Sequence, residues 1–588
     1  MAERSRIAQL LPELTGENVE SLMLERIAAT KTEKTVVPML WQGLLEMKIP
    51  VKEGERSAIL YVPREIPQGS PFVFLNVPEG EETVDFLIES GWMDAADRDS
   101  FCLFAAQPVN GHWGSAADEA EYLKTCYWEE QTGRYFLPQL SAYVVGYGEI
   151  GAELQKVVME EPIFVAAAAF LDASELDPAW LSRHKEGNFH FGTETIDIPF
   201  TEVPVPVWIC SREMNAETKA AARFWIDAAR AERTGEDADY GDIYLQAADS
   251  MFTPEGHILR VAVQQEALPY KSRETTERVW NFVRQYYRYG RGTHSNMISR
   301  KVDYTAMSVD FHRFTDQNGI EREYLVYVPA SCAGKKVPLV MILHGASQTM
   351  RNMFENGLWY EIAEREGFVI ASAESGLGPM PTILKGDLAM AHRPLWHDVL
   401  TDEQDTDMEY LDELADRLAA EYPIDPRRVY LTGHSMGCMT PIYLGTSKTA
   451  NRFAAIAATS GIAMKKNKLD PERKGGMPIF LTMGEFDLWP YAIDKQTPLT
   501  EALDTYLVEN GLANRDNVEE VRVHRAEKSQ HGMYHDFVWK DAQGVPRVKY
   551  CWLEKWGHVS LPAPNCRFWN EWFSKWRLDE NGNRVYEE

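Results

Sequence analysis

The sequence predicts an α/β protein built as two tandem domains, each a mostly parallel sheet flanked by helices. Three observations lead there. Short apolar runs rich in β-branched and aromatic residues alternate with stretches of helical spacing, the rhythm of parallel strands joined by crossover helices. A series of six such runs occurs twice, in the same order. One run of the second series ends in Gly433-His434-Ser435-Met436-Gly437. In a Gly-x-Ser-x-Gly frame a strand turns sharply into a helix and lifts a serine hydroxyl out of the sheet.

At 588 residues the chain is too long for one ordinary core and suits two large α/β domains. Its 45% apolar and 25% charged residues are those of a globular protein. A formal net charge of −29 repels phosphates and anionic lipid, so neither nucleic acid nor a membrane is an expected partner. The stretch from Met1 to Glu13 has no uninterrupted apolar core, and no transmembrane run follows. A cytoplasmic location is the expectation. Seven cysteines, without a C-x-x-C pair, predict reduced thiols and no metal site. A bridge between Cys551 and Cys566 is the one pairing left open. No cofactor is expected.

Residues 1–45 read as an N-terminal helical segment, because Val19, Leu22, Met23, Ile27 and Ala28 recur at helical spacing. Residues 46–290 form the first domain. Its strand signals are Ala58–Val62, Phe72–Val77, Phe101–Ala106, Ala142–Val145, Ile163–Ala167 and Val205–Cys210, with helical stretches such as Ala216–Glu232 between them. The polar, glycine-containing stretch around Tyr289–Asn296 marks a boundary, and residues 291–304 are assigned to a linker. Residues 305–588 then repeat the programme. Tyr324–Pro329 echoes Ile59–Pro63, Pro338–Leu343 echoes Pro71–Leu75, and Phe368–Ser372 echoes Cys102–Ala106. Val429–Gly433 echoes Tyr143–Gly146, Phe453–Ala458 echoes Phe164–Ala169, and Met477–Leu481 echoes Val205–Ile209. Two copies of one fold explain a shared order better than chance does.

A serine hydroxyl is a weak nucleophile until an imidazole takes its proton, and an acid must orient that imidazole. After a Gly-x-Ser-x-Gly turn the acid and then the histidine follow on loops past later strands. Asp487 leaves the strand signal Pro478–Gly484 and is the chosen acid, with Glu485 the competitor. Three late histidines compete as base. His531 and His535 precede a hairpin read at Phe537–Trp539 and Val548–Leu553, and are assigned to surface or loop. His558 follows the second strand and is the chosen base. An oxyanion hole needs backbone N–H donors. Met436, next after Ser435, supplies one; the loop His344-Gly345-Ala346 after the strand Val340–Leu343 supplies the other, assigned to Ala346 within one residue. His434, Trp489 and Trp396 are candidate pocket residues, and Met436, Met439 and Trp556 add apolar bulk. As a pocket lining these suit an aromatic or alkyl ester; the alternative reading puts many of them in the core and leaves His434 a satisfied loop histidine.

His344-Gly345 after a strand, Trp396-His397-Asp398-Val399, the run from Tyr422 to Gly437 and Gly557-His558 after the Gln543-Gly544 hairpin resemble the polyhydroxybutyrate depolymerase and feruloyl esterase group of α/β-hydrolases. The resemblance covers about residues 305 to 580, and Ile424–Gly437 is its most specific part. It implies an α/β-hydrolase-like fold and a serine carboxylic-ester hydrolase. Substrates would be small or oligomeric aromatic, hydroxycinnamoyl or hydroxyalkanoate esters. The sequence departs from the group at Gly557-His558-Val559-Ser560, which stands where His-Thr-Trp-Pro is usual.

The first copy lacks the three side chains. Gly148 stands opposite Ser435, Asn215 opposite Asp487, and no histidine lies between His257 and His294. A degenerate, non-catalytic copy is expected, serving as a platform or a dimer surface. Trp92, Trp113, Trp128 and Phe136 are read as core or cleft wall. Gly146-x-Gly148-x-x-Gly151 with Asp172 also fits a dinucleotide pattern. The eroded turn is preferred, because that pattern belongs at the start of a sheet. Against the esterase stand a peptidase of the prolyl-oligopeptidase kind, which would carry a β-propeller, and a non-catalytic scaffold.

Overall fold

The structure, a computed structural model, describes residues 42–52, 54–64, 66, 70–131, 142–191, 196–246, 260–288, 298–346, 348–379, 392–399, 406–464, 469–513, 515, 519–524, 533–560 and 562–588. Two ten-stranded sheets organise them. The strands of the first are β1 (Gly43–Val51), β2 (Gly54–Val62), β3 (Phe72–Asn76), β4 (Cys102–Ala106), β5 (Ala142–Tyr147), β6 (Ala167–Leu171), β7 (Val207–Ser211), β8 (Ala231–Asp237), β9 (Gly241–Gln246) and β10 (Arg260–Gln265). Those of the second are β11 (Asp310–Thr315), β12 (Glu321–Tyr327), β13 (Val337–Leu343), β14 (Val369–Ala373), β15 (Ile424–Gly433), β16 (Ala455–Thr459), β17 (Ile479–Phe486), β18 (Glu519–His524), β19 (Met533–Lys540) and β20 (Pro546–Gly557).

The first sheet runs β1-β2-β4-β3-β5-β6-β7-β10-β9-β8 and the second β11-β12-β14-β13-β15-β16-β17-β20-β19-β18, the same order. The senses agree as well. In each, six central strands are parallel, flanked on one side by two antiparallel strands and on the other by an antiparallel hairpin. Central strands such as Phe-Val-Phe-Leu-Asn in β3 and Val-Pro-Leu-Val-Met-Ile-Leu in β13 are buried throughout. Helices cover both faces of a parallel block, so its strands read as unbroken apolar runs. Each echo noted in the sequence falls on strands of equal rank in the two sheets.

Several boundaries move. Strand β1 starts at Gly43, so the last residues of the segment read as helical are extended; residues 1–41 lie outside the described residues. The helix read as Ala216–Glu232 ends at Ala229, where Arg230 turns left-handed at φ 50° and β8 begins. The linker assigned to 291–304 contains a strand, Ile298–Arg300, paired antiparallel with Tyr286–Arg288. The halves also share packing. Leu358 of the second half, left-handed at φ 48° and 2% exposed, belongs to the first half's apolar core, with Tyr360 packed against it. All seven cysteines are free, so Cys551 and Cys566 do not pair. Among the described residues no helix is long and apolar enough to cross a membrane.

Candidate active site

Strand β15 ends at Gly433 and the helix Met436–Leu444 begins within three residues. The backbone makes that turn by putting Ser435 at φ 56°, ψ −120°. The glycines are steric requirements. A Cβ on Gly433 would lie 2.1 Å from the Gly437 carbonyl oxygen, and one on Gly437 would lie 2.2 Å from the Leu343 carbonyl oxygen. The turn is pinned from both sides: the His434 N–H donates to Leu343 O at the end of β13 (3.2 Å), and the Ser435 N–H to Thr459 O at the end of β16 (3.0 Å). Ser435 is thereby held, half-buried, over the carboxyl end of the central strands, where open α/β sheets bind ligands.

Strands β17 and β20 run parallel and approach closely past Gly484, where a Cβ would fall 2.2 Å from the Trp556 carbonyl oxygen. Their ends pair Phe486 with Gly557. The next residues are Asp487 and His558, which therefore emerge side by side. The Nδ1–H of His558 donates to Asp487 Oδ1 (2.7 Å), and the Ser435 hydroxyl donates to His558 Nε2 (2.8 Å). The Asp487 side chain is fully buried and that of His558 is 21% exposed. Burial alone would raise the Asp487 carboxyl; the facing His558, with the Ser460 hydroxyl, holds it below the ordinary carboxylate range. An ionised acid in that position fixes the tautomer that leaves Nε2 free to accept the serine proton.

Two sequence-predicted donors flank this chain. Met436 opens its helix, so its N–H has no intrahelical acceptor. The loop carrying Ala346 passes close to Ser435: a Cβ on the neighbouring Gly345 would lie 3.1 Å from Ser435 Cβ. His434 is 4% exposed, its ring centroid 4.7 Å from that of His558. Neither of its ring nitrogens has a partner among the described residues. Burial, with the nearby His558, pushes its imidazole down to about 3, so it stays neutral near pH 7.

Three expectations change. Trp396 is fully buried and donates from its indole to His344 O (2.8 Å), so it supports the loop from behind and lines no pocket. Met439 and Trp556 are likewise core residues. His535 sits in strand β19, 5% exposed, its ring stacked on Trp552 at 3.6 Å, where a surface or loop position was expected. His531 lies outside the described residues. Trp489 is half-buried, and Leu488 beside it is 71% exposed. Glu485 is still within β17. Sequence reading missed Gln348, whose side chain accepts from the Gly345 N–H (2.9 Å). Its only signal was its place three residues past a His-Gly pair.

At the matching turn of the first sheet, Gly148 has φ 64° and begins the helix Gly148–Glu160. Asp172 accepts from the Arg212 N–H and guanidinium (2.8 Å each) and from the Tyr270 hydroxyl (2.8 Å). The carboxylate that a dinucleotide ribose would need is thus already engaged. Asn215, opposite Asp487 in the sequence, caps the helix Ala216–Ala229 through the Thr218 N–H. Trp92 is core and Trp113 half-buried; the side chains of Trp128 and Phe136 are outside the described set. Among the described residues no cluster of three or more His, Cys, Asp or Glu is arranged to hold a metal ion.

Residues 317–540 match the family model Esterase, described as "Putative esterase". The match includes Ser435 and Asp487 and stops before His558. A stretch of 145 residues, 25% of the chain, is 32% identical to the bifunctional acetylxylan esterase/xylanase XynS20E of Neocallimastix patriciarum. The chain spans only 19% of that relative's length. Among solved structures, the S-formylglutathione hydrolase of Agrobacterium tumefaciens is 14% identical, with 45% of this chain and 94% of that one covered at a TM-score of 0.32. The acetyl xylan esterase of Aspergillus awamori is also 14% identical, with 45% and 99% covered at a TM-score of 0.32.

Proposed function

We propose that the chain is a serine carboxylic-ester hydrolase acting through Ser435, His558 and Asp487. The observation that carries this reading is the unbroken hydrogen-bonded chain from the Ser435 hydroxyl through His558 to Asp487. Ser435 attacks the ester carbonyl as its proton passes to His558 Nε2; Asp487 stabilises the imidazolium. The oxyanion is met by the Met436 and Ala346 N–H groups. His558 returns the proton to the leaving alcohol, and a water activated by the same histidine hydrolyses the acyl-enzyme. The family match over residues 317–540 and the similarity to an acetylxylan esterase/xylanase support ester chemistry.

The substrate falls in the class of aromatic, hydroxycinnamoyl or hydroxyalkanoate esters. With Trp396 and Trp556 in the core, the support for an apolar group narrows to Leu488 and Trp489 beside the acid. Both halves share one α/β-hydrolase-like topology, supported by the common strand order and senses. The first is a non-catalytic copy: glycine replaces the serine, and Arg212 and Tyr270 fill the space around Asp172. Labelling by a fluorophosphonate, together with hydrolysis of a panel of aryl, hydroxycinnamoyl, acetyl-sugar and hydroxyalkanoate esters, tests the reading. Labelling and turnover are expected in the native chain and absent in Ser435→Ala. Labelling that persists in that variant overturns it.

A further inference from the structure

Just ahead of Ala346, the His344 carbonyl and both backbone polar groups of Gly345 are engaged by donors and acceptors of the surrounding residues. The His344 carbonyl accepts from the Trp396 indole N–H (2.8 Å). The Gly345 carbonyl accepts from His344 Nδ1–H (2.7 Å) and from the Gln348 N–H (3.1 Å). The Gly345 N–H donates to Gln348 Oε1 (2.9 Å). His344 Nε2 faces both the Ser375 N–H just past β14 (3.0 Å) and Glu374 Oε1 (3.2 Å); with Nε2 accepting from Ser375 the ring proton sits on Nδ1, where Gly345 needs it, and a second proton drawn by Glu374 would leave that one in place. The first N–H past this set is that of Ala346, next to Gly345, whose Cα leaves little room for a side chain before Ser435: a Cβ there would lie 3.1 Å from Ser435 Cβ.

A carbonyl turned toward the reacting centre would repel a developing oxyanion, whereas an N–H in the same place stabilises it. A short loop can present either by rotating one peptide. Here both preceding carbonyls are tied back by donors, so the loop's choice is made before substrate arrives. We infer that Trp396 and Gln348 are positioning residues that lock the His344–Ala346 peptides in the donor-forward orientation. The inference rests on the reading of Ser435 as nucleophile. It places Trp396, fully buried and remote from any substrate, in the rate equation through the loop alone.

The test compares Trp396→Phe, which keeps the aromatic volume and loses the donor, with Gln348→Met, which loses the acceptor at a half-buried position, each variant first matched to the native chain by circular dichroism. The assay is p-nitrophenyl acetate hydrolysis by the full chain. Each variant is expected to lose roughly 10- to 100-fold in kcat, less than the loss of a whole oxyanion donor, with KM changed by less than about twofold. Affinity for phenylboronic acid, which forms a tetrahedral adduct on the serine, should fall in parallel. The pH profile should not move, because His558 and Asp487 are untouched. Wild-type kcat and boronate affinity in Gln348→Met overturn the inference whatever happens to Trp396→Phe. So does a loss carried by KM. If Ser435→Ala itself stays active, the underlying reading falls instead, which separates the two failures.

Discussion

Ser435 carries the conflict between stability and chemistry at the residue scale. Its φ of 56° with ψ of −120° is a backbone that side chains rarely adopt, and such strain costs roughly 1–3 kcal/mol. Gly148 adopts φ 64° at the matching turn of the first sheet without a Cβ to strain. Ser435→Gly is therefore expected to be the more stable protein, by about 1 kcal/mol, and to have no esterase activity. Thermal denaturation beside an ester assay checks both; a destabilised variant would contradict the strain argument. The positions of Ser435, Asp487 and His558 at one end of the sheet are legible in the sequence, because each directly follows an apolar strand run. The placement of Trp396 is not. A tryptophan beside a suspected site reads equally as pocket wall or as buttress, and only its zero exposure and its bond to His344 O decide.

At the element scale, the site depends on two parallel strands ending in step. Strands β17 and β20 converge at Gly484, and the residue after each carries one half of the Asp487–His558 pair. Gly484→Ala would set a methyl 2.2 Å from the Trp556 carbonyl oxygen, so the strands must separate. The expected outcome is a loss of about 3 kcal/mol of stability, as for an overpacked core. A drop of about 100-fold in kcat should accompany it, since an ångström of misplacement suffices. An Ala variant with native kcat would show that the strands' convergence does not set the pair. The central strands are readable because burial on both faces writes them as continuous apolar runs. The margins are harder. Strand β1 begins at Gly43, inside the stretch 1–45 that reads as helical, and the alternation of Leu45, Met47 and Ile49 with Glu46 and Lys48 that marks it as a strand lies almost wholly past that boundary. Strand β8, Ala-Glu-Arg-Thr-Gly-Glu-Asp, is mostly exposed and exists by pairing with β9, which no local propensity announces.

At the scale of the whole molecule, two sheets of one topology are joined by more than a linker. Strand Ile298–Arg300 doubles back onto Tyr286–Arg288, and Leu358 sits in the first half's core. Leu358→Asp buries an unpaired charge at that junction and should cost about 3 kcal/mol or more. If the halves unfold together, calorimetry will show one transition moved to lower temperature, with activity lost at the same point. Two transitions, only one of them shifted, would show instead that the junction does not couple them. The recurrence of the six runs makes the doubled architecture visible in the sequence. The shared core is invisible there, since a lone leucine in a left-handed turn has no local signature. Leu358 also has a genetic consequence. If the first half is the non-catalytic copy proposed above, it would ordinarily be free to drift or be deleted, but it houses an anchor belonging to its neighbour. In a mutational scan selected for ester hydrolysis, substitutions around Leu358 in the first half should score as loss of function although they touch no reacting group, making that half a cis-acting folding partner under lasting selection.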